Sequence, residues 1–304
     1  MDAPSFPAFA LPSSADAAEA LFDGVTPFRR PPAVDGHRPP GRLRCRTAFI
    51  SDTHLGFDGA RAGELVAVLR RLDCDKLYLV GDIIDMWQLR RRWRWSPECA
   101  EVIQTVLDMA RRGVEVILVP GNHDEAARAY AGIEVGGVDI RLLDVHETAD
   151  GRRLLVTHGD QYDLVVKHSK LLCLLGDMAY VWLIRLNRGY NAMRRAFGFS
   201  YWSLAQYVKL KVKSACTYIS KFEETLVHEA ARRGLDGVVC GHIHKAEDTR
   251  VDGLGYYNCG DWVESCTLIT EDDHGHLRVV DGLAWLAQAE AATAGADVVE
   301  LRSA

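Results

Sequence analysis

Five times along this chain a short apolar run stops abruptly at a cluster of Asp, His, Asn and Gly, and that repetition constrains the fold more than any other feature. Cys45–Ser51 runs into Asp52-Thr53-His54, Lys76–Val80 into Gly81-Asp82, and Val114–Val119 into Pro120-Gly121-Asn122-His123-Asp124. Arg153–Thr157 runs into His158-Gly159-Asp160, and Gly237–Cys240 into Gly241-His242-Ile243-His244. Short apolar runs closed by turn residues read as buried strands. Between the early runs, Ala62–Arg71 and Glu98–Arg112 have the spacing of amphipathic helices, the second stopped by Gly113. Strands alternating with helices predict an α/β core with parallel strands, so the polar clusters leave the sheets at a shared rim. Tyr256–Asn258, Glu264–Thr270 and His276–Val280 predict an antiparallel section.

The stretch from Lys167 to Arg233 breaks this rhythm and reads as helices only. Val208, Val212, Ala215, Ile219, Phe222 and Leu226 form one stripe closed by Gly234, a pattern of internal packing. Leu171–Leu186 is apolar nearly all round and must be covered by protein, a second copy or lipid, yet it falls short of the ~20 residues that cross a bilayer. Eight of the ten prolines lie in the first forty residues, where no periodicity survives. The expected organisation is a mobile Pro-rich arm over 1–43, a core over 44–160 and 235–286, a helical cap inserted at 161–234, and a tail over 287–304 that starts as a short helix.

Composition narrows the class of partner and the compartment. With 36 Lys+Arg against 42 Asp+Glu the net charge is −6, so no nucleic-acid partner is expected. From Asp160 to Phe222, however, ten Lys or Arg stand against three Asp and no Glu, a local excess of +7. The eight cysteines are irregularly spaced with no Cys-x-x-Cys pair, and no secretory signal is visible. Buried, reduced thiols in a cytoplasmic protein are the expectation.

The strand ends offer Asp52, His54, Asp82, Asn122, His158, His242 and His244. Such a mixed nitrogen and oxygen set suits Mn²⁺, Fe²⁺ or Zn²⁺ and not Ca²⁺. Seven ligands are too many for one ion; two ions sharing a carboxylate fit, and Asp82, at the end of a central strand, is the natural bridge. Two ions about 3.5–4 Å apart can activate a water and neutralise a phosphate in an in-line displacement, which implies hydrolysis of a phosphate ester. His123 is placed to protonate the leaving oxygen, with Asp124 expected to fix its tautomer. Asp85 is expected behind a ligand histidine. A lone histidine at a strand end is more often structural, but five such clusters together reverse that reading. His168, His228, His274 and His276 have no such company and are expected in solvent. The run Arg90-Arg91-Arg92-Trp93-Arg94-Trp95 suits phosphate or single-stranded nucleic acid, and equally a solvated face.

Asp52-x-His54, Gly81-Asp82-x-x-Asp85, Gly121-Asn122-His123-Asp124, His158-Gly159-Asp160 and Gly241-His242-x-His244, in this order, resemble the five blocks of the calcineurin-like metallophosphoesterases over about Arg44–Asp281. The resemblance implies a four-layer αββα sandwich of two mixed sheets between helices. It places one ion among Asp52, His54, Asp82 and His244 and the other among Asp82, Asn122, His158 and His242, with Mn²⁺ expected and Fe²⁺ or Zn²⁺ as alternatives. Within that family the chain is similar to the UDP-2,3-diacylglucosamine pyrophosphohydrolase branch of lipid A biosynthesis. The likeness rests on Phe49-Ile50-Ser51-Asp52, on Gly81-Asp82-Ile83-Ile84-Asp85-x-Trp87, on the long helical insertion, and on Asn258-Cys259-Gly260-Asp261-Trp262-Val263-Glu264-Ser265. Members of that branch release UMP and a lipid phosphate from a UDP-sugar lipid. His123 departs from the Gly-Asn-Arg-Asp that such members tend to carry, a change that leaves the metal ligands intact and bears on the substrate.

The implied substrate also gives the cap a role. Arg185, Arg188, Arg194, Arg195, Lys209, Lys211 and Lys213 alternate with large apolar residues, as expected of a site for diphosphate and acyl tails and of contact with an anionic leaflet. A phosphorylated lipid or nucleotide sugar, and a peripheral position at the inner membrane, are therefore expected. The alternatives are another phosphodiesterase or phosphatase of the same fold acting on a nucleotide or lipid, or a membrane-surface binding protein without turnover. The complete ligand set with His123 weighs against the last, because binding needs no leaving-group acid.

Overall fold

The computed structural model describes residues 41–165 and 219–291. The Pro-rich arm, most of the cap with Arg185, Arg188, Arg194, Arg195, Lys209, Lys211 and Lys213, and the end of the tail lie outside the described residues. In chain order the elements are β1 (Leu43–Ile50), α1 (Ala62–Arg71), β2 (Leu72–Val80), α2 (Met86–Arg91), α3 (Pro97–Arg111), β3 (Glu115–Val119), β4 (Glu134–Val135), β5 (Val138–Ile140), β6 (Asp144–Glu147) and β7 (Arg153–Val156). They continue with a helix described over 219–232 (α4), β8 (Gly237–Cys240), β9 (Glu247–Val251), β10 (Leu254–Asn258), β11 (Thr267–Glu271), β12 (Leu277–Asp281) and a helix over 282–291 (α5).

Local chemistry explains the helices. In α1, Ala62, Leu65, Val66 and Leu69 form one buried stripe, with Glu64 in the first turn and Arg70 and Arg71 in the last, as the helix dipole favours. Helix α3 starts at Ser96, whose side chain accepts from Cys99 N, with a proline in its first turn. Gly113, with φ of 89°, ends it.

Two sheets stack face to face. The first runs β12-β11-β1-β2-β3-β5-β4 and the second β6-β7-β8-β10-β9. Helices α1 and α3 cover the outer face of the first sheet around Leu65, Leu69, Val102 and Met109. Phe222, Leu226 and Ala230 of α4 cover the outer face of the second. Between the sheets, Phe49, Tyr78, Val80, Ile117 and Val119 meet Leu154, Val156 and Val239, with Phe49 and Tyr78 stacked at 4.9 Å. The four layers are therefore helix, sheet, sheet, helix. The β1–β2 and β2–β3 pairs are parallel, with Ile50 opposite Leu79 and Val80 opposite Val119, so all three strands end at one level. Val156 opposite Val239 does the same for β7 and β8. The expected strand Glu264–Thr270 begins only at Thr267, because Val263, Glu264 and Ser265 are drawn into a turn by their backbone N–H groups, which donate to Asp261 Oδ1. The six described cysteines are buried and unpaired, and burial pushes the Cys240 thiol up to about 12. No described helix is long and apolar enough to cross a membrane.

A charged group also ties the two sheets together. Glu271 on β11 is fully buried; its Oε2 lies 2.8 Å from His146 Nε2 on β6, and its Oε1 accepts from Arg46 Nη1 and Ala149 N. Burial alone would raise the Glu271 carboxyl, but the contact with His146 outweighs it and leaves it below the ordinary range. A group depressed in this way contributes stability above the unfolded-chain value, about 4.3, and loses it as pH falls through the folded value. Glu271→Gln should therefore cost about 3 kcal/mol at pH 7 and flatten the acid limb of stability against pH. Urea unfolding at pH 7 and pH 4 checks both, and an acid limb as steep as wild type would refute the assignment.

Candidate metal centre

The level strand ends gather the polar turns, and the backbone there is unusual. Asp52, His54, Asp82, His242 and His244 all adopt left-handed φ, between 45° and 72°. That conformation costs on the order of 1–3 kcal/mol for a residue with a side chain and persists only when its surroundings impose it. Here neighbouring turns impose it by donating to one another: Asp52 N to Gly81 O at 3.0 Å, His54 N to Asp82 O at 2.9 Å, Trp262 N to Asp52 O at 3.0 Å and Gly241 N to His158 O at 3.2 Å.

The two central carboxylates are held alike. Asp52 Oδ2 accepts from His242 N at 3.0 Å, and Asp82 Oδ1 accepts from His123 N at 2.8 Å. Each therefore keeps a second oxygen for the site. Asp52 Oδ1 lies 3.2 Å from His244 Nε2 and 3.9 Å from His54 Nε2. Asp82 Oδ2 lies 3.4 Å from His158 Nε2, 3.9 Å from His123 Nε2 and 4.0 Å from His54 Nε2. Ligand-type atoms converge in three groups: Asp52, His54 and His244; Asp82, His158 and His242; and His54, Asp82 and His123. Asp82 belongs to two of them. Among the described residues, buried Asp52 Oδ1, Asn122 Oδ1 and His158 Nε2 find no hydrogen-bond partner, a costly arrangement unless something else satisfies them. Imidazole nitrogens and carboxylate oxygens with orphaned lone pairs fit divalent transition metals.

Electrostatics point the same way. Burial would raise both carboxyls, but His244 and His158 hold Asp52, and His158 and His123 hold Asp82, below the ordinary carboxylate range. Burial alone would lower His158, but Asp82 and Asp52 outweigh it and push it up to about 10. Such a ligand takes up a metal by giving up a proton, so affinity weakens as pH is lowered.

Two motif glycines are required by close approach. A Cβ at Gly121 would lie 2.2 Å from Asp82 Oδ1, and one at Gly241 would lie 2.3 Å from Asp52 Oδ2. Gly241→Ala should displace the Asp52 carboxylate and weaken metal binding about 10–100-fold, the range seen when ligand orientation is lost. Metal titration followed by calorimetry checks this, and unchanged affinity would show that the loop yields freely.

The surroundings correct one expectation. Asp124 does not fix His123: its carboxylate accepts from Ile83 N at 2.7 Å and Gly121 N at 2.6 Å, so it ties the third turn to the second. Asp85 takes that place instead, with Oδ1 2.9 Å from His123 Nδ1 and Oδ2 3.3 Å from His54 Nδ1, while capping α2 by accepting from Gln88 N. His123 holds Asp85 below the ordinary range against the opposing effect of burial. Asp124 is not available to His123 because both its oxygens are taken by these backbone N–H groups.

Sequence reasoning missed the brackets around the site. Asn258 Nδ2 donates to Gly241 O at 2.9 Å, Ser51 Oγ to Gly260 O at 3.2 Å, and Thr53 Oγ1 to Ile83 O at 2.7 Å. Arg128 Nη2 donates to both oxygens of Asp160 at 2.7 and 2.8 Å, joining the third turn to the fourth. The segment from Asn258 to Ser265 stood out as a motif, but nothing in its composition marked it as support for the turns.

A family model described as calcineurin-like phosphoesterase matches residues 45–246. The chain is 27% identical over 124 residues to a UDP-2,3-diacylglucosamine hydrolase of Histophilus somni strain 129Pt, covering 38% of this chain and 49% of that protein. The protein of the same name in strain 2336 is 26% identical over 125 residues, with the same coverage. The chain thus spans about half the length of the curated relatives it matches. Among solved structures, an archaeal phosphodiesterase shares 13% identity at a TM-score of 0.36, covering 77% of this chain and 98% of its own.

Proposed function

Because this chain belongs to the calcineurin-like phosphoesterase family, we propose that it hydrolyses a phosphodiester or pyrophosphate bond with two divalent ions, and that its substrate is UDP-2,3-diacylglucosamine, cleaved to UMP and a lipid phosphate. The observation that carries the reading is the convergence of three imidazole Nε2 atoms on Asp82 Oδ2 within 4.0 Å. Asp52, His54, Asp82 and His244 would hold one ion, and Asp82, Asn122, His158 and His242 the other. When bound, the pair supplies charge compensation for the phosphoryl group and lowers the pKa of the attacking water.

The chain's own residues do the rest. Asp52 and Asp82 bring fixed negative charge, each anchored through its other oxygen by a backbone N–H. Asp85 against Nδ1 of His123 sets that ring so that Nε2 faces the reacting side, where it donates a proton to the leaving oxygen. Mn²⁺ is the ion of first choice, with Fe²⁺ and Zn²⁺ behind it. The relatives' name, the Gly81-to-Trp87 block and the cationic, aromatic cap sequence support the lipid substrate; the same cap sequence supports work at an anionic membrane surface. His123, where arginine is usual for that branch, favours a second reading, another phosphodiesterase of the same fold.

The test is incubation of the Mn²⁺-loaded full chain with UDP-2,3-diacylglucosamine and mass detection of UMP. UMP release supports the first reading. Turnover of bis(p-nitrophenyl) phosphate without UMP release assigns the second, and turnover of neither refutes both.

A further inference from the structure

Helix α2 leads away from the metal centre and carries side chains that the hydrolytic reading leaves unused. Asp85 caps its start, and Met86 N donates to His123 O at 3.2 Å. Leu89 is buried against Gly56, where a Cβ would lie 2.8 Å from it. The helix is thereby fixed relative to His123. Trp87 sits with its ring centroid 4.1 Å from that of His123, the planes 30° apart, and still keeps 44% of its surface exposed. Arg90 and Arg91, three and four residues on, share its face of the helix and are exposed. Neither forms an ion pair with a described carboxylate, whereas Arg94 and Arg61 are committed to Asp58 and Glu64.

We propose that the open surface of Trp87, with Arg90 and Arg91 beyond it, is the subsite that receives the nucleoside part of the substrate. This rests on the reading of the centre as a phosphoesterase site. An indole packed against the imidazole that serves the leaving oxygen lies one ring away from the reacting phosphate. A base joined to that phosphate through its ribose reaches this surface and stacks there, a contact open to any base because every base offers a flat π-face. Guanidinium groups with no ion-pair partner among the described residues, next to the indole, suit the phosphates on either side of the reacting bond. An acyl chain would gain little there, because the neighbours of the indole along the helix are cations. Trp87 is thus a specificity-determining residue that recognises a nucleotide and discriminates against simple phosphate esters.

The test compares UMP with ribose 5-phosphate, which differ in the base, by calorimetric titration of the Mn²⁺-loaded full chain. Wild type should bind UMP about tenfold more tightly. In Trp87→Leu the ratio should fall to about one, and in Trp87→Phe an intermediate preference should remain. The ratio within each protein is insensitive to a general loss of affinity, and the wild-type ratio reads the proposal even if a variant fails to fold. A wild-type ratio near one, or a preference that survives in Trp87→Leu, overturns it. So does weaker binding of Trp87→Leu to phosphatidylglycerol vesicles with the ratio unchanged, which would assign the surface to a membrane. If UDP-2,3-diacylglucosamine is not cleaved but the ratio behaves as stated, the subsite stands and only the lipid substrate falls.

Discussion

Asp82→Ala should lose at least about 10³-fold in kcat/KM and should no longer retain two ions per chain. Asp82 ends β2, the fourth strand of seven, and its Oδ2 lies between the imidazoles of His158, His123 and His54. In the proposed two-ion arrangement its removal would take a charged ligand from both positions at once, whereas loss of Asp52 or His244 would touch only one. Alanine also leaves the partly buried His123 N without its acceptor, at a cost of about 1 kcal/mol. Asp82→Asn keeps that acceptor and removes only the charge, so it separates loop support from metal binding. Both variants should be measured with an aryl phosphodiester and by elemental analysis after dialysis. Two retained ions with wild-type turnover in Asp82→Asn would show that the carboxylate is not shared.

His123→Ala should slow kcat by about 10²–10⁴-fold while both ions remain. The side chain is partly exposed, Asp85 engages its Nδ1, and its Nε2 is turned toward the Asp82 side of the centre. A group that protonates the leaving oxygen matters most when that oxygen is a poor leaving group. The deficit should therefore be large for an alkyl or sugar phosphate ester and small for p-nitrophenolate. His54, Asp82 and His123 also form a ligand-type group of their own. Loss of an ion from His123→Ala, with an equal deficit for both kinds of leaving group, would make His123 a ligand rather than an acid.

The parts legible in the sequence were those fixed by short-range rules. Apolar runs such as Val114–Val119 and Gly237–Cys240 announce buried strands, and Gly113 marks the end of α3 because caps act within one turn of the chain. The start of β11 is not legible in hydropathy because Asp261 captures three consecutive amides, a local competition that hydropathy does not record. The partner of His123 is equally hidden, since sequence adjacency to Asp124 does not reveal that backbone N–H groups take that carboxylate and leave Asp85 against the imidazole.

By itself the sequence determined the order of strands and helices, the residue types brought to the strand ends and the chemistry such a set can support, because these follow from side-chain identity and local spacing. Only the tertiary structure decided which of those side chains meet. The parallel register of β1, β2 and β3 brings residues 30 to 70 positions apart to one level, and the stacked second sheet adds His158, His242 and His244 from the far half of the chain. The left-handed turns, the double duty of Asp85 and the placement of Trp87 against His123 arise from contacts between these distant segments, and no window along the chain contains both partners.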